Sequence, residues 1–330
     1  MNGQDSAILA GHNLRKQFRL TTATKKGGLL TALDDVSLEL SGGETLGIAG
    51  ESGCGKSTLG KILAGLMKPD RGGIRYRGVP LESLSSADYQ QFRRSTQMIF
   101  QDPFSSLNPR MRISDIIAEP LVIAGVEGSS IRTSVARLME TVGLSPELAQ
   151  RFPDEFSGGQ RQRIGIARAL AAAPSILIAD EPVSSLDISI QAQIINLLQE
   201  MKGSFNLSLV MISHNLSVLQ HMCDRICIMY LGIIVEQAPT ADLFIQCLHP
   251  YTEALLAAIP SISVDSRKAR VILNDDLPSP LDIPSGCRFH TRCRYAAEIC
   301  SNEVPALMQI KPGHLSACHF ATTIFPRPGE

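Results

Sequence analysis

Gly50-Glu51-Ser52-Gly53-Cys54-Gly55-Lys56-Ser57-Thr58 matches a phosphate-binding loop, G-x-x-x-x-G-K-S/T, at every fixed position. Its flanks supply the context that this chemistry needs. Glu44-Thr45-Leu46-Gly47-Ile48-Ala49 is a short apolar run that reads as a strand, and Leu59, Ile62, Leu63, Leu66 and Met67 recur at helical spacing. Between strand and helix, Gly50, Gly53 and Gly55 permit turns that a Cβ forbids. Their N–H groups are then free to point inward at phosphate oxygens. The helix start adds about half a positive charge. Lys56 is expected to reach the β- and γ-phosphates, and the Ser57 hydroxyl to ligate Mg²⁺. A chance glycine-rich turn is the plainer alternative, but it leaves the strand, the helix and the Lys-Ser pair in register unexplained.

The composition sets outer bounds. At 330 residues the chain has room for one large domain and a small one. A hydrophobic content of 44% supports a sizeable core, and a net charge of -1 does not favour nucleic acid or an anionic membrane surface as partner. No apolar run approaches the ~18 residues of a membrane span, and the polar start lacks the pattern of a signal peptide. The expectation is a cytosolic chain that meets a membrane only through a partner. Of the eight cysteines, Cys287, Cys293, Cys300 and Cys318 crowd the last fifth. In a reducing compartment such crowding points to a metal site before disulfides.

The first 49 residues read as β-rich, with Val36, Leu38 and Leu40 alternating against Ser37 and Glu39. Phe18 lies upstream of the loop as either a core side chain or a platform for adenine. Short strands return around Gly72-Gly73 and Gly78 and end on Met98-Ile99-Phe100, followed by Gln101. Residues 102–160 change character. Ile113, Ile116, Ile117 and Leu121, then Val135, Leu138, Met139 and Val142, follow near helical spacing and read as a helical insert between two core strands. Ser157-Gly158-Gly159-Gln160 opens a further helix whose free N–H donors make either a second anion site or an ordinary N-cap.

Ser175-Ile176-Leu177-Ile178-Ala179-Asp180-Glu181-Pro182 is an apolar strand ending in two carboxylates. Buried parallel strands read as continuous apolar runs, and ligands bind beyond their carboxyl ends. Asp180 is therefore expected in the Mg²⁺ shell, and Glu181 as the group that orients and polarises the attacking water. Leu209-Val210-Met211-Ile212-Ser213 is another buried strand with His214 at its end, where a histidine becomes a γ-phosphate contact. Residues 226–230 and 233–235, split around Gly232, read as a hairpin closing the sheet.

Taken in order, the loop at 50–58, Gln101, Phe156-Ser157-Gly158-Gly159-Gln160, the strand ending at Glu181, Ser184-Ser185-Leu186-Asp187 and His214 resemble the ATP-binding subunits of ABC transporters over residues 7 to about 258. Within that superfamily the chain looks most like the ATPases of oligopeptide, dipeptide and nickel importers. Residues 100–109 (Phe-Gln-Asp-Pro-Phe-Ser-Ser-Leu-Asn-Pro), His249-Pro250-Tyr251-Thr252 and the cysteine-rich tail carry that likeness. Phe156 departs from the usual Leu, and Ser185 from the commoner Ala. The implied fold is α/β: a P-loop ABC-type ATPase domain with a mainly parallel core sheet, an antiparallel β subdomain and a helical subdomain at about 102–160. This domain is expected over 1–258, a linker over 259–286, and a small cysteine-rich C-terminal extension over 287–330.

The resemblance also implies a mechanism that one chain cannot complete. Two ATPase subunits meet head to tail, with ATP and Mg²⁺ between the loop residues (Gly50 to Thr58) of one and Ser157, Gly158, Gly159 and Gln160 of the other. Only one phosphate loop is present and no repeat, so the second half comes from another chain. Asp187 links the two sites, Gln101 senses Mg²⁺ and the water, and residues 102–121 hold a helix of the membrane subunits. The implied partners are a second ATPase, two transmembrane permease subunits and an extracytoplasmic solute-binding protein, with no nucleic acid. The implied location is peripheral, on the cytoplasmic face of the inner membrane. The expected function is ATP-driven import of di- or oligopeptides; alternatives are a nickel or small-solute importer, a soluble ABC ATPase acting on nucleic acid or ribosomes, and a stand-alone phosphate-loop kinase or GTPase.

The tail cysteines are spaced C-x5-C-x6-C-x17-C. Four thiolates suit tetrahedral Zn²⁺ or a [4Fe–4S] cluster. The common C-x-x-C zinc spacing is absent and the importer family is associated with iron–sulfur here, so the cluster leads, then zinc, then free thiols. Cys223, Cys227 and Cys247 read as structural. Cys54 does too, yet its place in the phosphate loop carries the expectation that a thiol reagent inhibits ATP hydrolysis and that ATP protects.

Overall fold

A computed structural model describes residues 7–19, 28–102, 104, 106–259, 278–279 and 281–325. The strands are β1 (Leu9–Arg19), β2 (Leu29–Leu40), β3 (Thr45–Ala49), β4 (Arg71–Tyr76), β5 (Val79–Pro80), β6 (Thr96–Ile99), β7 (Ile176–Asp180), β8 (Ser208–Ile212), β9 (Arg225–Tyr230), β10 (Ile233–Pro239), β11 (Met308–Lys311) and β12 (His314–Ser316). The helices are α1 (Lys56–Leu63), α2 (Ser86–Ser95), α3 (Ile113–Ile123), α4 (Gly128–Thr141), α5 (Gly158–Ala171), α6 (Ile188–Phe205), α7 (Leu216–Met222), α8 (Thr240–Ile245), α9 (Pro250–Ala257), α10 (Glu298–Asn302) and α11 (Ala321–Ile324). No helix among the described residues is long and apolar enough to cross a membrane.

The larger sheet runs β11-β12-β10-β9-β3-β8-β7-β6, with β9, β3, β8, β7 and β6 mutually parallel. A smaller antiparallel sheet, β2-β1-β4-β5, forms the β subdomain. The central parallel strands β3, β7 and β8 are buried at every position and mostly apolar for a simple reason: both faces are covered. Leu177 and Ala179 of β7 join one core cluster with α3, α4 and α5, while Ile176 and Ile178 join another with α1 and the antiparallel sheet. β8 divides the same way, Leu209 and Met211 against Val210 and Ile212. Truncating any of the fully buried leucines or isoleucines here to Ala removes about 2–5 kcal/mol.

Register sets where the chemistry lies. Ile48 pairs with Ile212, Asp180 with Ile212, and Ile99 with Ala179. The four strands therefore end level, and the residues that follow them (the phosphate loop, Ser213-His214, Glu181 and Gln101) share one edge of the sheet.

Two elements depart from the sequence reading. Helix α2 carries no apolar stripe: among its residues only Phe92 is buried, packed edge-on to Tyr76 with ring centroids 5.3 Å apart. Ser85 starts it by accepting the Asp88 N–H at 3.2 Å. The second departure is a correction. The β9–β10 hairpin forms but does not close the sheet, because β12 of the tail pairs with β10, Glu236 opposite Ser316, and β11 pairs with β12. The tail borrows the sheet of the main domain as its core. Most of the expected linker, 260–277 and 280, and positions 103 and 105 of the 100–109 motif lie outside the described residues.

Candidate active site

The phosphate loop turns where the glycines allow it. Gly50 sits at φ +150°, where a Cβ would come within 2.2 Å of the Met229 carbonyl oxygen, and Gly55 at φ +108°, where one would come within 2.2 Å of the Ala32 carbonyl oxygen. Backbone bonds brace the loop from behind: Gly232 N–H donates to the Cys54 carbonyl at 2.9 Å. Lys56 is almost wholly buried and donates to the carbonyls of Gly50 at 2.8 Å and Glu51 at 2.9 Å. Its ammonium is thus held against the loop's own backbone, poised at the start of α1. Ser52 and Gly53 are exposed; Ser57 and Thr58, in the first turn of α1, are half-buried.

Across the sheet edge, Ser57 Oγ donates to Asp180 Oδ1 at 3.0 Å. Burial pushes the Asp180 carboxyl up, the Ser57 hydrogen bond opposes that, and neighbouring Glu181 adds to it. The Ser57 hydroxyl and the Asp180 carboxylate are hard oxygen donors, which fit Mg²⁺, and a cation there would hold Asp180 ionised. Glu181 adopts φ +45°, left-handed for a non-glycine residue, a conformation costing about 1–3 kcal/mol and concentrated at functional sites. The kink ends β7 and presents the carboxylate to the sheet edge. There Oε2 accepts from Gln101 Nε2 at 3.2 Å and meets His214 Nδ1 at 3.1 Å. Glu181 is largely buried while His214 is half exposed. One carboxylate oxygen is thus fixed from two sides.

Ser157 caps α5 with a capping box: Oγ accepts from Gln160 N–H at 3.4 Å, and Gln160 Oε1 accepts from Ser157 N–H at 3.0 Å. The ordinary N-cap reading is therefore met within the chain, yet Ser157 remains exposed and Gly158 and Gly159 half-exposed. Asp187, exposed, stands at the start of α6 without a side-chain cap bond. Phe18 is half-buried near the end of β1, with the Lys16 ammonium 5.8 Å from its ring centre.

The expectation for Cys54 needs correction. Its side chain is 1% exposed and belongs to the core beneath the loop, and burial raises its thiol pKa. Its Sγ lies 3.9 Å from the Lys56 ammonium beneath the loop, where burial closes it to a reagent arriving from solvent.

Sequence reasoning missed how the tail meets this site. Arg292 donates to both oxygens of Glu51, at 2.8 and 3.1 Å, and Tyr251 OH accepts the Glu51 N–H at 2.9 Å. Burial alone would lower the Arg292 pKa, but the bonds to Glu51 and Tyr230 raise it. Arg288 bonds the Asp34 carboxylate and the Leu231 carbonyl. Phe289 packs on Tyr230 and Tyr251, each with ring centroids 5.4 Å away. His249 starts α9 by accepting the Tyr251 N–H at 3.1 Å, which explains the His249-Pro250-Tyr251 run locally. Cys287, Cys293, Cys300 and Cys318 line one pocket. Burial raises Cys287 and pushes Cys293 and Cys318 up to about 11. Among the described residues no three His, Cys, Asp or Glu side chains are grouped so as to hold a metal ion.

A family model described as ABC transporter matches residues 33–184, and one described as oligopeptide/dipeptide transporter, C-terminal region, matches residues 235–300. An oligopeptide transport ATP-binding protein of Bacillus subtilis is 46% identical over 318 residues, 94% of this chain and 97% of that one. A di/tripeptide transport ATP-binding protein of Pseudomonas aeruginosa is 44% identical over 316 residues, 95% and 98% of the two chains. Among solved structures, a dimeric ATP-binding cassette in a post-hydrolysis state, bound to ADP and phosphate, superposes with a TM-score of 0.63 at 26% identity, covering 71% of this chain and 99% of that one.

Proposed function

The chain belongs to the ABC transporter family, with ATP-binding proteins of peptide import as its relatives, and on that premise we propose that it is the ATP-hydrolysing motor subunit of an importer for di- or oligopeptides. The observation that carries the proposal is the shared sheet edge. It brings Lys56, the Ser57–Asp180 pair and the Gln101–Glu181–His214 group to one place. The peptide cargo rests on what the relatives are named for; the motor itself contacts permeases rather than cargo.

In this reading the loop N–H groups and Lys56 bind the ATP phosphates, and Ser57 and Asp180 would hold Mg²⁺, which would supply neutralisation of the phosphate charge. Glu181 accepts a proton from the attacking water through the carboxylate that Gln101 and His214 orient. Ser157 and its helix start are offered to ATP on a second ATPase subunit, whose own Ser-Gly-Gly segment completes this site. Asp187 lies between the two, and Phe18 gives the adenine a ring. The insert, 102–160, engages the permease pair, so the chain sits peripherally on the cytoplasmic face of the membrane, with an extracytoplasmic binding protein delivering cargo. Residues 1–258 form the nucleotide-binding domain and 287–330 the cysteine-rich extension joined to its sheet.

What supports a thiolate-bound group in the tail is that all four cysteines line one pocket and the donor set is sulfur. Cys287, Cys293, Cys300 and Cys318 would hold a [4Fe–4S] cluster, which supplies a one-electron centre or a cross-link for a tail with little core of its own. Hydrolysis is tested with Glu181→Gln and Lys56→Ala. The first should bind ATP, turn over about 10²–10⁴-fold more slowly and accumulate as an ATP-bound dimer; the second should bind ATP weakly. Parent-like hydrolysis by Glu181→Gln would remove Glu181 from the water-orienting role.

A further inference from the structure

The segment Cys287-Arg288-Phe289-His290-Thr291-Arg292-Cys293 does two things at once. Its terminal thiols line the cysteine pocket, while its two arginines reach toward the phosphate loop, Arg292 directly through Glu51 and Arg288 through Leu231, the neighbour of the Gly232 that braces Cys54. Arg292 holds the Glu51 carboxylate through two parallel bonds of 2.8 and 3.1 Å. Arg288 bonds the Leu231 carbonyl and Asp34; the adjoining Gly232 donates to the Cys54 carbonyl at 2.9 Å and accepts from Asp34 N–H at 2.9 Å. Between them Phe289, 2% exposed, is wedged on Tyr230 and on Tyr251, and Tyr251 OH holds the Glu51 N–H at 2.9 Å.

The segment is also stiff. His290 N–H closes on the Cys287 carbonyl at 2.9 Å, Cys293 N–H on the His290 carbonyl at 3.3 Å, and Cys287 N–H reaches the Cys300 carbonyl at 2.7 Å. Each arginine directly adjoins a pocket cysteine, so a shift of Cys287 or Cys293 is passed to a guanidinium one residue away. A bidentate fork tolerates little displacement. Glu51 beside a triphosphate would repel it unless paired, so the state of the fork bears on nucleotide binding.

We propose that Arg288 and Arg292 are positioning residues of the phosphate loop that couple it to the cysteine pocket. What the four thiols hold sets how tightly the loop binds ATP, and by thermodynamic reciprocity ATP changes how firmly the pocket holds its occupant. The proposal rests on the tail thiols forming one binding site, as inferred above.

The test uses the full chain, purified anaerobically, with iron and labile sulfide assayed first. A fluorescent N-methylanthraniloyl-ATP is titrated into the loaded protein and into protein stripped by chelator and reductant. The parent should show affinities differing by roughly five-fold or more, and ATP should change the rate of iron release to a chelator. Arg292→Met and Arg288→Met should lose most of that difference while keeping iron content and melting temperature close to the parent's. Equal affinities in loaded and stripped parent, or full coupling retained in both variants, would overturn the clamp. If the chain carries no iron or sulfide, the cluster assignment fails separately. The clamp is then read on the thiols: ATP should change the rate at which N-ethylmaleimide modifies Cys293 and Cys318 in the parent, and unchanged rates would sink it.

Discussion

Replacing His314 by leucine should cost about 3–5 kcal/mol of folding stability, although the residue is remote in sequence from every catalytic motif. His314 Nε2 lies 2.7 Å from Glu236 Oε1, with the two residues 1% and 0% exposed. The same Oε1 accepts the Leu248 N–H, and Glu236 Oε2 has no partner among the described residues. Removing the imidazole leaves a carboxylate buried with one donor, and breaking such a pair costs about 3–5 kcal/mol. For 330 residues an unfolding entropy of about 2.1 cal/mol/K per residue makes each kcal/mol worth about 1.4 °C, so a fall of roughly 4–7 °C is expected. The double variant Glu236→Leu, His314→Leu removes the stranded carboxyl group as well. It orphans only the Leu248 N–H, a cost of about 1–3 kcal/mol, and should be more stable than the single variant. Thermal and urea unfolding followed by circular dichroism measure both. A single variant within 1 kcal/mol of the parent, or a double variant worse than the single, would refute the view that this pair fastens the tail to the sheet.

Thiol reactivity should follow burial. At pH 8, iodoacetamide mass mapping of native protein freed of metal should find Cys293 and Cys318 modified before Cys54, Cys223, Cys227 and Cys247; burial pushes Cys227 and Cys247 up to about 12 and Cys223 higher still. Rapid loss of Cys54 with ATP protection would restore the discarded expectation. Stability should also fall in acid through His249, whose pKa burial lowers from 6.5 to about 3. As pH drops below 6.5 the unfolded chain takes up this proton first. The contribution is therefore whole above pH 6.5 and is lost toward pH 3, with about 2 kcal/mol gone by pH 5. His249→Asn, which keeps an N-cap acceptor, should flatten the slope between pH 7 and pH 5; an unchanged slope would contradict a buried neutral imidazole.

Where the physics is local, the sequence was a sufficient guide. The glycines of the phosphate loop, the apolar strand ending in Asp180-Glu181, His214 after β8 and the Ser157 cap of α5 are each set by neighbours within a few residues. Helix α2 was not legible, because one buried phenylalanine makes no period. The tail strands were missed for a different reason: β12 is three residues long, and only its pairing with β10, about 80 positions earlier, makes it a strand. The Arg292–Glu51 pair spans 241 positions and has no local signature beyond an arginine beside a cysteine. The direction of the Cys54 side chain likewise depends on what packs under the loop, which spacing cannot reveal.

The motor assignment is tested most directly by its company. Glu181→Gln, expressed in the source cell and recovered with ATP from detergent-solubilised membranes, should bring down two multi-span permease subunits and a second ATPase, identified by mass spectrometry. Vesicles reconstituted with that complex and the parent chain should take up di- or oligopeptides only when ATP is supplied on the ATPase side. Recovery of ribosomal or DNA-repair proteins with no permease would contradict the transport function and leave only the ATPase.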